Sequence, residues 1–420
     1  MGGRNPGPGL PVAPDRPLGL LAGRRILLTV TGGVAAYKAA ELARLMAKAG
    51  ALVRVAMTEA ARRFVAPLTF SSLTGQPVAT GLWDRPGGLP AIPHVSWAEW
   101  AELLVTAPAT ADFLAKLAHG LADDLPSSLA LAYGGPRLDA PAMNAGMFLN
   151  PATAANLATL RARGHRVLGS PEGPLACGTE GPGRMAEPGE IALEAARLIS
   201  GGRLSGRRVV VTGGATREAW DDIRFLSNRS SGLMGRALAE AAWLMGAETL
   251  YLAGPAAAAP GPGLDGLSVA RAETTADLLE LAREALPGAW ALLMNAAPAD
   301  FAPETRARGK ISKTGGDPPV LRLRRTPDIL SSLSPLRGGT ILVGFAAEEA
   351  DLEARAADKL RRKGLDYVAA DQAGGPESAF GSEAIALTLL SARGGRLPIG
   401  PGTKFRAAWE LLSALASGWE

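Results

Sequence analysis

Two stretches of this chain, one in each half, open in the same way. RRILLTVTGGVAAYKAAELARLMAKAGALVRVAMT occupies residues 24–58, and RRVVVTGGATRE occupies residues 207–218. In the first, Ile26 to Val30 forms a continuous apolar run, Tyr37 to Ala49 repeats its apolar residues at helical spacing, and Gly50 ends that repeat. Leu52 to Met57 is again apolar. The pattern predicts strand, Gly-Gly turn, amphipathic helix and strand. Such a βαβ unit commits the chain to a parallel sheet covered by helices.

The pattern recurs in AELLVTAPATADFLAKLAHGLADDL (101–125), with a strand at Leu103 to Thr106, a turn containing Pro108 and then a helix. A third strand is expected to end near PAMN (141–144). After Glu190 a helix and the Gly-rich ISGGRLSGRR lead to the second start, and RALAEAAWLMGAETLYLAG (236–254) repeats the style of the first βαβ unit. The expectation is α/β, with two doubly wound, Rossmann-like three-layer domains. The boundaries are a disordered tail at 1–22, a first domain at 23–190, a linker at 191–206 and a second domain at 207–420. In open α/β sheets the turns at the carboxyl ends of strands bind ligands. Neither TGGVAAYK nor TGGATRE contains G-x-G-x-x-G, so the dinucleotide fingerprint is absent. A Gly-Gly turn opening a helix can still hold a phosphate on backbone N–H groups.

Composition narrows the partners. With 47% apolar residues the 420-residue chain can fill two or three sizeable cores. One cysteine excludes an intrachain disulfide framework and points to a reducing, cytoplasmic compartment. Three histidines, His94, His119 and His165, make a His-based zinc site a poor fit. A net charge of +4 suits anionic small molecules and is too small to argue for nucleic acid. No apolar run reaches membrane-spanning length, and the Pro/Gly-rich segment 1–22 lacks the apolar stretch of a signal peptide.

The single cysteine, Cys177, lies in PEGPLACGTEGPGRMAEP (171–188), where Gly and Pro are too frequent for a helix or strand. A long loop of this kind is a functional lid or a disordered segment. The thiol itself reads either as a small buried hydrophobe or as a group presented to a substrate.

In the first half, four stretches stand together: GGVAAYK (32–38), HVSWAEWAELLVTAPATAD (94–112), PAMN (141–144) and LACGTEGPGRM (175–185). In this order they resemble the flavin-dependent cysteine decarboxylases, in particular the phosphopantothenoylcysteine decarboxylases, over about residues 24–190. In the second half, TGGATRE (212–218), IRFLSNRSSG (223–232), MNAAPADFAPE (294–304), KISK (310–313), TPDIL (326–330), VGFAAE (343–348) and DKLRRKGLDYVAAD (358–371) resemble phosphopantothenate–cysteine ligase. Bacteria fuse the two in this order.

The resemblance implies a flavodoxin-like flavoprotein domain followed by a nucleotide-binding ligase domain. It implies FMN as cofactor, CTP as co-substrate and Mg2+ beside the triphosphate, with metal ligands unassigned. FMN would contact Gly32, Gly33, Val34, Thr58, Pro108, Ala109, Thr110, Asp112 and Met143. His94 would assist thiol oxidation, a role suited to a side chain type that ordinarily titrates near neutral pH. Asn144 would hold the substrate carboxylate, and Cys177 would return a proton. In the ligase half, Arg224 and Asn228 would bind phosphopantothenate or turn over the acyl-cytidylate. Lys310, Lys359 and Lys363 would contact the triphosphate, and Met294, Asn295, Ala296, Asp300, Pro327, Asp328, Ile329, Leu330 and Phe345 the nucleotide. The spacing of Lys359 and Lys363 alone equally describes a solvated helix stripe. The family forms trimers through the first domain and dimers through the second, which close as a dodecamer. Three positions depart from its pattern: Leu233 for a lysine, Ala370 for an asparagine and Asp112 for an amide.

Two other readings use the same residues differently. A flavin-binding scaffold of the same fold needs only the flavin turns, so it leaves His94, Asn144 and Cys177 together without a purpose. An NAD(P)-dependent reductase needs the fingerprint that both Gly-Gly turns lack.

Overall fold

The computed structural model describes residues 13–83, 92–174, 178, 180–261, 263–311, 319–348, 352–372 and 384–419. It divides into two compact units, the first Leu18–Gly201 and the second the described residues from Gly202 onward with the short segment 13–17. Among the described residues, no helix is long and apolar enough to cross a membrane.

The first unit opens with a single 3₁₀ turn, Pro17–Leu21, before strand β1, Arg25–Val30. Here the expected disordered tail is corrected for residues 13–22: Leu21 is fully buried and Leu18 and Leu20 are half-buried. These closely spaced leucines anchor the turn, a signal masked by the Pro and Gly around them. Residues 1–12 lie outside the described residues. Helix α1 (Ala36–Lys48) buries Ala39, Leu42, Ala43 and Met46, and β2 (Leu52–Met57) follows. Between them Gly50 takes φ +92°, a conformation L side chains rarely adopt. Then come α2 (Pro67–Thr74), β3 (Val78–Ala79), α3 (Pro93–Trp100) and β4 (Leu103–Ala109). Strand β4 runs through Pro108, which is therefore part of the strand end and not of a turn. Helix α4 (Ala111–His119), α5 (Leu125–Ala132) and β5 (Arg137–Pro141) complete the second βαβ stretch. The short α6 (Ala145–Phe148), α7 (Pro151–Ala162) and β6 (Arg166–Val167) follow. The Gly/Pro-rich segment is not wholly irregular, since β7 (Gly173–Pro174) pairs antiparallel with β8 (Glu180–Gly181) before α8 (Pro188–Ile199).

The strand order is β3-β2-β1-β4-β5-β6, and every neighbouring pair is parallel. This is the order of the doubly wound dinucleotide folds and differs from the flavodoxin order 2-1-3-4-5. Its direction reverses between β1 and β4, and a crevice opens where their carboxyl ends part.

The second unit repeats that order. Its elements are β9 (Arg208–Gly213), a hairpin of β10 (Arg217–Ala219) and β11 (Phe225–Ser227), α9 (Leu233–Leu244), β12 (Glu248–Ala253), β13 (Leu267–Arg271), α10 (Thr275–Ala285) and β14 (Ala291–Met294). A second hairpin, β15 (Phe301–Pro303) and β16 (Leu323–Arg325), precedes α11 (Ile329–Leu333), β17 (Ile341–Glu348), α12 (Leu352–Arg362) and β18 (Tyr367–Gln372). Strands β19 (Ala384–Ser391) and β20 (Arg396–Thr403) and helix α13 (Lys404–Ala416) close the chain. The sheet reads β13-β12-β9-β14-β17-β18-β19-β20. Its first six strands are parallel in the order 3-2-1-4-5-6, and β19 and β20 add an antiparallel edge. The switch point lies between β9 and β14. Val210, Leu252, Leu292, Leu342 and Val368 pack with α10, α11 and α12 in a fully apolar core on one face.

Candidate active sites

At the first switch point, Thr31 joins the two diverging strand ends. Its hydroxyl donates to the Pro108 carbonyl at 2.6 Å and accepts from the Thr110 backbone N–H at 3.1 Å. Thr110 then caps α4 by accepting from the Phe113 N–H at 3.4 Å, so two helices, α1 and α4, begin beside one another at this crevice. At Gly32 a β-carbon would stand 2.3 Å from Ala60 Cβ, so the turn passes where no side chain fits. The 171–188 segment returns to the same place: the Met143 N–H donates to the Gly183 carbonyl at 2.9 Å. Gly183 has φ +128°, and a β-carbon there would meet the Met143 carbonyl oxygen at 2.2 Å. Glycine is the residue this crossing requires.

These turns enclose a cleft of about 990 Å³. Of the residues named for FMN, Gly32, Gly33, Val34, Thr58, Thr110, Asp112 and Met143 line it, as does Asn144. Pro108 and Ala109 do not: both are buried in β4, where the Pro108 carbonyl serves Thr31. Asn144 caps α6 and accepts from the Gly146 N–H at 2.8 Å. His94 is the second residue of α3 and not a loop residue, and it is not among the residues lining this cleft. Cys177 lies outside the described residues. The cleft also uses Tyr37, Lys38, Arg184 and Met185, which lay inside quoted motifs without being named, and Lys116, which lay outside them. Lys38 reaches Glu187 at 2.8 Å, tying α1 to the start of α8. The Lys116 ammonium is held above its usual pKa by its hydrogen bond to Asp123 and by the charges of Asp124 and Asp112. Asp112, an exposed carboxylate, sits 3.8 Å from that ammonium.

The second switch point is built by the same device. Thr212, at the end of β9, accepts from the Ala296 N–H at 3.0 Å, and its hydroxyl lies 3.3 Å from the Met294 sulfur. The Ala297 N–H reaches the Gly214 carbonyl at 2.8 Å. Asn228 donates to the Pro298 carbonyl at 2.9 Å, and Thr326 donates through its hydroxyl to the Ala299 carbonyl at 2.6 Å. A cavity of about 690 Å³ opens here.

Met294, Asn295, Ala296, Asp300, Pro327, Asp328, Ile329, Leu330, Phe345, Lys359, Lys363 and Asn228 all line this cavity. Helix α12 ends at Arg362, and the Lys363 N–H still donates to the Lys359 carbonyl at 3.0 Å, so the two lysines keep their helical spacing and both line the cavity. Lys359 reaches the Phe345 carbonyl from the last turn, and Lys363, just past it, pairs with Asp328 at 3.0 Å. Asp328 also caps α11 through the Ser331 N–H. Arg224 and Lys310 do not line this cavity; Arg224 is half-buried and Lys310 exposed. Sequence reasoning missed Ser230, Ser231, Arg325, Arg362, Asp371 and Lys404. The serines lay inside a quoted motif and could have been named, whereas Lys404 begins the last helix, remote from every motif. Among the described lining residues five are basic (Arg325, Lys359, Arg362, Lys363, Lys404) and three acidic (Asp300, Asp328, Asp371), which suits a polyanionic ligand. Leu233 and Asp371 line the cavity, while Ala370 is buried in the sheet.

Comparison with known proteins covers both units. Residues 16–200 match the Flavoprotein family, and residues 204–418 match the DNA/pantothenate metabolism flavoprotein C-terminal domain. The chain is 40% identical over 372 residues to the coenzyme A biosynthesis bifunctional protein CoaBC of Vibrio cholerae, covering 88% of this chain and 92% of that one. It is 38% identical over 401 residues to the protein of the same name from Bacillus subtilis, covering 95% and 98%. Among solved structures, the FMN-dependent cysteine decarboxylase SpaF is 34% identical, covering 42% of this chain and 96% of its own, with a TM-score of 0.37. The two-unit architecture, the paired family matches and the near full-length relatives agree: the chain belongs to the family of bifunctional coenzyme A biosynthesis proteins.

Proposed function

We propose that the second unit joins cysteine to 4′-phosphopantothenate at the expense of CTP, and that the first decarboxylates the resulting 4′-phosphopantothenoylcysteine to 4′-phosphopantetheine. The observation that carries this reading is the repetition of one switch-point crevice in both units, each lined by its own set of motif residues. Near full-length identity to bifunctional relatives supports reading the two together.

In the ligase crevice, a carboxylate oxygen of the substrate attacks the α-phosphorus of CTP and pyrophosphate leaves. The cysteine amine then attacks the acyl carbon, and CMP leaves with the bonding electrons. No side chain need form a covalent bond, so catalysis rests on alignment and charge stabilisation. Lys310, Lys359 and Lys363 would contact the triphosphate, and Arg224 and Asn228 would bind phosphopantothenate or turn over the acyl-cytidylate. Among the described residues no three His, Cys, Asp or Glu side chains are grouped to cage a metal. Mg2+ would be held mainly by the phosphates. The ion would neutralise the triphosphate for in-line attack.

In the first crevice, the backbone turns at Gly32–Gly33 and Thr110 face the cleft and would hold the phosphate and ring system of FMN, with Gly32 packed so closely on Ala60 that no side chain fits there. FMN, when bound, supplies the oxidation of the thiol that gives the substrate an electron sink for losing CO2. Asn144 would hold the carboxylate that departs, His94 would take the thiol proton, and Cys177 would return a proton to the product. His94 stands outside the cleft of its own chain, in keeping with a site shared between subunits of a trimer formed by the first domain, with dimers through the second closing a dodecamer.

Lys310→Ala should abolish ligation while supplied 4′-phosphopantothenoylcysteine is decarboxylated at the unaltered rate. Loss of both activities together would defeat the two-site reading.

A further inference from the structure

The five residues between β10 and β11, Trp220 to Arg224, form a turn built around two adjacent carboxylates that no motif covered. Asp221 is 2% exposed. Its Oδ1 accepts from the Ile223 and Arg224 N–H groups at 2.7 and 2.6 Å. Its Oδ2 accepts from the Ile311 N–H at 3.2 Å and lies 3.8 Å from the Arg224 guanidinium. Asp222 works on the same distant segment: Oδ1 accepts from Arg306 at 2.9 Å and Oδ2 from the Gly309 N–H at 2.9 Å. The Ala307 N–H adds a bond to the Trp220 carbonyl at 2.9 Å. Residues 306–311 are thus fastened to the turn through four points, and the two amides on either side of Lys310 each end on a carboxylate.

We infer that Asp221 and Asp222 are positioning residues for ligation: they clamp the backbone on both sides of Lys310 to the turn that carries Arg224, so that the two cations are presented as one unit. The inference rests on the ligase reading above, which gives Lys310 and Arg224 their task. Burial of Asp221 works against its charge, but the N–H groups of Ile223, Arg224 and Ile311, with the Arg224 charge, hold its carboxyl below the usual carboxylate range. The Gly309 N–H and the Arg306 guanidinium do the same for Asp222. Both are ionised at neutral pH, which makes these bonds charge-assisted and stronger than amide–carbonyl bonds. A purely structural turn would be satisfied by Oδ1 of Asp221 alone. The second oxygen and the whole of Asp222 are spent on a segment remote in sequence, Gly309 lying 87 positions from Asp222 and Ile311 lying 90 from Asp221.

Asp221→Asn and Asp222→Asn in the full-length protein test this, because an amide keeps one acceptor oxygen and presents N–H₂ where the other accepted. The clamp predicts faster hydrogen exchange at Gly309 and Ile311 and a drop in ligation kcat of roughly 10- to 100-fold for each variant, with KM for CTP changed far less. Decarboxylation of supplied 4′-phosphopantothenoylcysteine should keep its rate, which also reports that the chain has folded. Asp222 is half-exposed, so its variant tests the segment even where Asp221→Asn disturbs the turn. Unaltered ligation kcat in Asp222→Asn, with Lys310→Ala inactive, would overturn the clamp and leave the ligase reading standing. Full ligation by Lys310→Ala would instead remove the reading on which the clamp depends.

Discussion

At the scale of single residues, Asp328 shows how one side chain can serve fold and site together. It caps α11 and pairs with Lys363 at 3.0 Å inside the second cavity. Burial raises its pKa, yet the Ser331 N–H and Lys363 outweigh that and hold it below the ordinary carboxylate value. The folded state therefore binds this proton less readily than the unfolded chain. The stability it contributes is complete above the unfolded pKa of about 3.9 and is lost as pH falls through the lower folded value. Asn is as good a cap as Asp, so Asp328→Asn removes the charge and keeps the helix start. Denaturant titrations below about pH 4 should show a shallower loss of stability in the variant than in the parent. An identical acid slope would mean that the Lys363 pair does not couple to folding. Sequence resemblance named Asp328 only as a nucleotide contact. Neither the cap nor the partnership with Lys363 was read there, because both depend on where helices start and stop.

At the scale of elements, α3 carries His94, and its attachment decides where that histidine stands. Arg54 on β2 lies with its guanidinium carbon 4.2 Å from the Trp100 ring centroid and 5.4 Å from that of Trp97. Trp97 is buried with Leu27, Ala56 and Leu104, so the contact joins α3 to the sheet at its core. A cation on two aromatic faces contributes on the order of 0.5–2 kcal/mol. Arg54→Ala should destabilise the first unit by about that amount and lower the decarboxylation rate with little loss of flavin, since α3 does not line the cleft. Flavin release in step with activity would place the damage in the cleft instead. Periodicity identified the opening strands and helix of each unit, with β4 and α4 of the first, because these bury a contiguous apolar face. Contacts such as Arg54 with the tryptophans join segments that are distant in sequence, and nothing local announces them. The clamp at Asp221 and Asp222 escaped for the same reason: its partners are mostly backbone N–H groups, which nearly every residue has.

At the scale of the whole molecule, the repeated strand–Gly-Gly opening announced two α/β units, and the motifs announced which strand ends would carry chemistry. Strand order was beyond reach of local pattern. It is set by which apolar strands neighbour one another, and in both units this gives 3-2-1-4-5-6 with the crevice beside the first strand. That common topology explains why motifs scattered along each half converge on one cleft per unit. Lys310, Arg224 and His94 do not line those clefts although the motifs grouped them with the rest, because a motif groups residues along the sequence and does not by itself fix which side chains face one cleft. The central claim is that both steps belong to this one chain. It is tested most directly by incubating the purified protein, with its flavin, with 4′-phosphopantothenate, cysteine, CTP and Mg2+, and following the products by mass spectrometry. The account predicts 4′-phosphopantetheine together with CMP and pyrophosphate. Flavin-loaded protein that forms neither 4′-phosphopantothenoylcysteine nor 4′-phosphopantetheine would contradict it.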